Sequence, residues 1–165
     1  MKRILLVDDE PNILNSVRRC LLGAQRLPYE VAVECFTSAR AALERAEVQE
    51  FDLIISDYRM PEMSGVDFLL QSIESNPSAV RMLMTAYADL DAVIAAINRA
   101  RVARFICKPW KDVELRACVC EALASRERGA QGTLDGAQLM RQRMHMESPM
   151  LMDLDVADDG GIVIG

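Results

Sequence analysis

Short, unbroken apolar runs alternate with amphipathic stretches over the first 125 residues, and two of the runs end abruptly in acids. Ile4-Leu5-Leu6-Val7 runs straight into Asp8-Asp9-Glu10, and Leu53-Ile54-Ile55 is followed after one residue by Asp57. A run with no polar position reads as a strand buried on both faces, the situation of a central strand in a parallel sheet covered by helices. The stretches between the runs have the other period. Pro11 suits the first turn of a helix, Leu14, Val17 and Leu21 recur at helical spacing, and Gly23 marks a stop.

The cycle then repeats. A strand over 31–36 precedes a helix capped by Ser38 and reaching about Ala46. After the Leu53 strand, Ser64 caps a helix carrying Val66, Leu69, Leu70 and Ile73. A strand over 80–84 leads to a helix from Asp89 to Ala100 with Leu90, Val93, Ile94 and Ile97 on one side. A short strand over 104–107 and a last helix follow, the helix with Leu115, Val119 and Ala122 inward and its end near Ser125. Five strands and five helices in strict alternation predict parallel strands with right-handed crossovers, in three layers.

Composition narrows the function. The chain has 165 residues, 51% of them apolar and 27% charged, so global disorder is excluded. No apolar run approaches the ~18 residues of a membrane span, and four apolar residues before Asp8 are too few for a secretory signal. A cytoplasmic protein is expected. Nineteen basic against twenty-five acidic residues give a net charge of −6, which argues against nucleic acid as a partner. Five irregularly placed cysteines predict reduced thiols, and a single histidine, His145, rules out multi-histidine metal sites on the body.

In an open parallel sheet, ligands bind beyond the carboxyl ends of the strands, where the strand order reverses. The residues standing there are Asp8, Asp9 and Glu10 after the first strand, Asp57 after the third, Thr85 after the fourth and Lys108 after the fifth. With the first and third strands as neighbours, three carboxylates, a hydroxyl and an ammonium share one pocket. Crowded carboxylates take up protons unless a cation answers them, and Mg2+ needs only two carboxylates and a carbonyl beside its waters. One carboxylate then remains as a nucleophile, and carboxylates form acyl phosphates.

These segments resemble the receiver domain of two-component response regulators. The matching residues are Leu5-Leu6-Val7-Asp8-Asp9-Glu10, Asp57 through Gly65 (Asp-Tyr-Arg-Met-Pro-Glu-Met-Ser-Gly), Met84-Thr85-Ala86-Tyr87 and Phe105-Ile106-Cys107-Lys108-Pro109-Trp110. The resemblance covers about residues 2–125 and implies a flavodoxin-like, doubly wound α/β fold: a five-stranded parallel sheet of order 2-1-3-4-5 with helices on both faces. It implies Asp57 as phosphoacceptor, with Asp8, Asp9, Asp57 and the backbone carbonyl of Arg59 as Mg2+ ligands. It further implies Lys108 as phosphate partner, a cis peptide before Pro109, Thr85 and Phe105 as a switch pair, and Arg59 and Tyr87 as modulators of phosphate loss. The implied donor is a sensor histidine kinase or a phosphotransfer protein. Trp110, the one tryptophan, serves either packing or an output surface.

Residues 126–165 lie outside the resemblance. Residues 127–165 hold three arginines against seven acids, which makes a poor DNA-binding face. An amphipathic turn or two over 139–146 and a small hairpin or edge strand near the end are expected, with an Asp-Gly step as its turn. The expected domains are therefore a receiver at 1–125 and an acidic extension at 126–165. Homodimerisation through the 89–100 helix, the last helix or the tail is one expected output; the other reading is a fragment of a larger regulator with a metal-dependent phosphohydrolase or ATPase output. A phosphohydrolase that turns over outside substrates would place a second aspartate two residues after the nucleophile. Arg59 stands there, so the chain is not expected to be an enzyme.

Overall fold

The computed structural model describes residues 1–86, 94 and 99–128, and the backbone of 154–156 and 162–164. Strands β1 (Lys2–Val7), β2 (Val31–Phe36), β3 (Leu53–Asp57), β4 (Val80–Ala86) and β5 (Val102–Lys108) form one parallel sheet in the order β2-β1-β3-β4-β5. This is the expected order, with the reversal between β1 and β3. Helices α1 (Pro11–Leu22), α2 (Ala39–Val48), α3 (Gly65–Ser75) and α4 (Asp112–Glu127) connect or follow the strands. The helix expected over 89–100 falls mostly outside the described residues. Ile94 within it is helical, and residues 99–100 already form a turn.

Alternation along the strands splits the core into two halves. Leu5 and Val7 point to the side of α2 and α3, where they meet Ala42, Phe68 and Leu69. Ile4 and Leu6 point to the side of α1 and α4, where they meet Val17, Leu21, Leu115 and Val119. Trp110 is half-buried against this second half. β2 is half-buried along its whole length, as an edge strand is. The three layers follow from period two in the sheet and period 3.6 in the helices.

Local chemistry sets the helix starts. Ser38 Oγ accepts from the Ala41 amide at 3.2 Å, and Ser64 Oγ accepts from the Asp67 amide at 3.1 Å. α1 starts with Pro11 and no side-chain cap, and it stops at Gly23. A Cβ at Gly23 would lie 2.6 Å from the Arg19 carbonyl oxygen.

Two features depart from the expected elements. β5 begins at Val102 rather than at 104, because the register with β4 skips Ala103: Arg81 pairs with Val102 and Met82 with Arg104. The turn before it holds Arg101 at φ 52, a left-handed conformation costly for a side chain with a Cβ. α4 runs two residues past the expected end, to Glu127, and is tied to the sheet by Lys2–Glu127 at 2.9 Å and Arg126–Asp52 at 2.7 Å.

Near the end of the chain, Leu154–Val156 (β6) and Ile162–Ile164 (β7) form an antiparallel ladder. The turn between them and the expected helix over 139–146 lie outside the described residues. Among the described residues no helix is long and apolar enough to cross a membrane. All five cysteines are free.

Candidate functional site

The carboxyl ends of β1, β3 and β5 bring Asp8, Asp9, Asp57 and Lys108 together. A carboxylate oxygen from each of Asp8, Asp9 and Asp57 lies within 4.8 Å of the others. Lys108 Nζ donates to Asp8 Oδ2 at 2.9 Å and lies 2.9 Å from Asp57 Oδ1. Asp8 is fully buried, Asp57 is 8% exposed and the Lys108 side chain 19% exposed, so these charges meet where water screens them poorly. Three carboxylates against one ammonium leave two negative charges unanswered within the cluster.

The electrostatics follow from that imbalance. Burial raises the Asp57 pKa, and the neighbouring Asp8 charge raises it further, while the bond to Lys108 and the Tyr58 amide pull it back; the net shift is upward. Burial alone would lower the Lys108 pKa, but bonds to Asp8 and Asp57 outweigh it and raise it. The residues present therefore fit a hard divalent cation: the donors are all oxygens, and the surplus charge equals that of the ion.

The surrounding chain holds Asp57 in place. Ser56, fully buried, donates from Oγ to the Asp57 carbonyl at 2.9 Å. The Tyr58 amide bonds to the Met84 carbonyl on β4 at 2.8 Å, and the Gly65 amide closes the loop onto the Tyr58 carbonyl at 2.7 Å. A Cβ on Gly65 would sit 1.9 Å from the Asp57 carbonyl oxygen, so only glycine fits there. Glu62 reaches from the same loop to the start of α2, accepting from the Ala39 amide at 3.1 Å. At the start of α1, Asp8 Oδ1 accepts from the Glu10 amide at 2.9 Å. Sequence reasoning did not single out Ser56 or Glu62, and it quoted Gly65 only within a motif. A serine preceding the aspartate at a strand end carries no signal of its own.

The other expected residues are placed as follows. Arg59 is exposed in the loop after β3, where Asp9, Tyr58, Arg59, Met60, Pro61 and Ser64 line a cavity of about 510 Å³. The Lys108–Pro109 peptide is cis. Thr85 is buried and its hydroxyl donates to the Ala86 carbonyl at 3.3 Å, a long bond. Phe105 is buried among the residues of the α2/α3 half of the core, so its ring already occupies an inward position. Tyr87 lies outside the described residues.

Comparison with known proteins agrees with this arrangement. Residues 4–120 match the family described as "Response regulator receiver domain". The hydrogenase transcriptional regulatory protein HoxA of Cupriavidus necator is 34% identical over 131 residues, which are 79% of this chain and 26% of that protein. The chain thus spans about a quarter of the length of the curated relatives it matches. Among solved structures, the signal receiver domain of an HD domain-containing protein from Pseudomonas fluorescens Pf-5 is 31% identical, with a TM-score of 0.69 over 78% of this chain and 90% of that one. A CheY-like response regulator receiver domain protein from Methanospirillum hungatei JF-1 is 29% identical, with a TM-score of 0.67 over 78% and 98%. Sheet order, carboxylate cluster and sequence match coincide on the same residues, and the chain belongs to the response regulator receiver domain family.

Proposed function

We propose that this chain accepts a phosphoryl group on Asp57 from the phosphohistidine of a sensor histidine kinase or phosphotransfer protein, and that the modification switches protein–protein interaction or self-association. The observation that carries this reading is the cluster of three aspartates held against Lys108 with two negative charges left over. A Asp57 carboxylate oxygen attacks phosphorus, the P–N bond of the donor breaks, and its electron pair stays with the imidazole, which takes up a proton. Lys108, already 2.9 Å from Asp57 Oδ1, is in place to pair with the incoming phosphoryl oxygens. Asp8, Asp9, Asp57 and the Arg59 carbonyl are the ligands that would hold Mg2+, which when bound neutralises phosphoryl charge.

The Thr85 hydroxyl has only a long bond to relinquish, which suits a group that turns toward a new phosphoryl oxygen. Phe105, paired with Leu83 across the β4–β5 ladder, is the aromatic partner in that switch. Arg59 and Tyr87 modulate phosphate loss by obstructing water, giving a long-lived acyl phosphate; a half-life of seconds would contradict this. Arg59 also occupies the place where a phosphohydrolase carries its second acid, so the chain is not an enzyme acting on outside substrates. Its place is the cytoplasm, its partners are proteins rather than nucleic acid or membrane, and the extension expected over 126–165 begins after Glu127, the end of α4.

The test is labelling with acetyl phosphate and Mg2+. Native chain takes up one phosphoryl group and then stops, whereas Asp57→Asn takes up none and keeps its circular dichroism spectrum. Undiminished labelling of that variant would sink the assignment. A second reading is supported by the quarter-length match to the relatives: a receiver portion of a larger regulator with an output of phosphohydrolase or ATPase type. The full reading frame decides it.

A further inference from the structure

We propose that the arginine-lined groove between α1 and α4 is the docking site of this chain's own acidic C-terminal segment, residues 152–159, bound within the same molecule. α1 contains no acidic residue, and its second half presents Arg18 and Arg19 to solvent. From α4, the half-buried Arg116 leans across to Gln25 Oε1 at 2.6 Å and Cys20 Sγ at 3.7 Å. None of these three arginines has an ion pair among the described residues. Lys2, Arg45, Arg99, Arg104, Lys108 and Arg126 have carboxylate partners, whereas Arg3, Arg26, Arg101, Lys111 and Arg128, like the three here, have none among the described residues.

Arg18 and Arg19 line a cavity of about 390 Å³ along α1, and Arg19 and Arg116 line an adjoining one of about 500 Å³ between α1 and α4; the two share Arg19 and Gly23. Asp112 is the one acid in either lining. Leu22, 41% exposed, adds an apolar wall. The surface therefore fits an anionic strand that also carries apolar side chains.

The chain contains one such segment. Asp153, Asp155, Asp158 and Asp159 fall within seven residues that hold no base, interleaved with Leu154 and Val156; no other seven-residue stretch carries four acids. Reach is adequate. Arg116 stands one turn into α4, and the 11 residues from it to Glu127, where the helix ends, rise ~17 Å. The 24 residues over 129–152 can reach at most ~80 Å, well beyond that distance. The segment can therefore reach the groove within one molecule. Docking within one molecule is favoured over docking between copies, because two chains of net charge −6 repel each other.

The contact is electrostatic, so ionic strength should release it. Hydrogen exchange of the full-length chain is measured at low and high salt, where the screening lengths are ~30 Å and ~3 Å. Amides of 18–26 and 152–159 are expected to exchange several-fold more slowly at low salt. Arg18→Glu with Arg19→Glu should erase that difference, and adding Asp153→Lys, Asp155→Lys, Asp158→Lys and Asp159→Lys should restore it. Exchange over 152–159 that ignores the arginine reversal would overturn the proposal. So would salt-sensitive protection that vanishes on tenfold dilution with the mass of two chains by light scattering, which would assign the groove to a second copy.

Discussion

Asp57 illustrates how a reactive side chain is held at a cost. Its folded-state pKa lies above its ordinary value, first through burial and then through Asp8. The stability this group contributes is therefore present in acid and is lost as pH rises through the folded pKa. Lys108, also raised, acts in the alkaline range: its contribution is full below its ordinary pKa and lost above it. Between acid and neutral pH, Asp57 dominates of the two. Without Mg2+, Asp57→Asn is expected to be more stable than the native chain at pH 7, with the gap closing as pH falls; a gap that stays constant in thermal melts would contradict this. Gly65 is the second residue-scale constraint. A methyl group 1.9 Å from the Asp57 carbonyl forces the loop to move, so Gly65→Ala should cost ~2 kcal/mol or more in urea unfolding and disturb labelling of Asp57 as well.

Elements are joined here by a buried polar knot near the amino-terminal ends of the strands, opposite the carboxylates. Arg81, 2% exposed on β4, has no carboxylate partner among the described residues. Its Nε donates to the Leu69 carbonyl at 3.2 Å and to Ser72 Oγ at 3.0 Å, its Nη1 to the Ala79 carbonyl at 2.7 Å, and its Nη2 to the Asn76 carbonyl. Burial, with the nearby Arg101 charge, lowers its pKa to about 10. Asn76 extends the knot, accepting from the Phe51 amide at 2.7 Å and donating to the Ala46 carbonyl at 2.8 Å. α2, α3, β3 and β4 are thus fastened through one guanidinium and one amide. Arg81→Leu should cost ~3 kcal/mol, because several buried acceptors lose their donor at once. Arg101→Gly should do the opposite. Relief of the left-handed strain is worth ~1 kcal/mol, read as a rise in the urea midpoint without change of slope.

For the molecule as a whole, ligand binding and stability are linked. A cation held by Asp8, Asp9 and Asp57 binds the folded chain alone, since the three meet only through β1 and β3 lying side by side. Mg2+ at a hundred times its dissociation constant should add ~2.7 kcal/mol to unfolding, and Asp9→Asn should remove most of that gain. A melting temperature indifferent to Mg2+ would count against the metal site. The two halves of the core sit on opposite faces of one sheet.

Much of this protein was legible in the chain because its signals are local. Ile4 to Val7 and Leu53 to Ile55 are apolar without interruption, the serines at 38 and 64 carry their caps beside them, Asp57 and Lys108 end their strands, and Asp8 and Asp9 directly follow theirs. Strand order and the shared pocket followed from the resemblance that these segments carry. The rest depends on residues far apart in sequence. Arg81 reads as a polar interruption of a strand until α3 folds over it and offers its carbonyls. The skip at Ala103 exists only in the register of β5 against β4, and Phe105 owes its inward position to packing. Period and capping are properties of neighbours along the chain, whereas burial of a guanidinium, strand register and the meeting of an arginine on α4 with a cysteine on α1 arise only when distant segments close around one another.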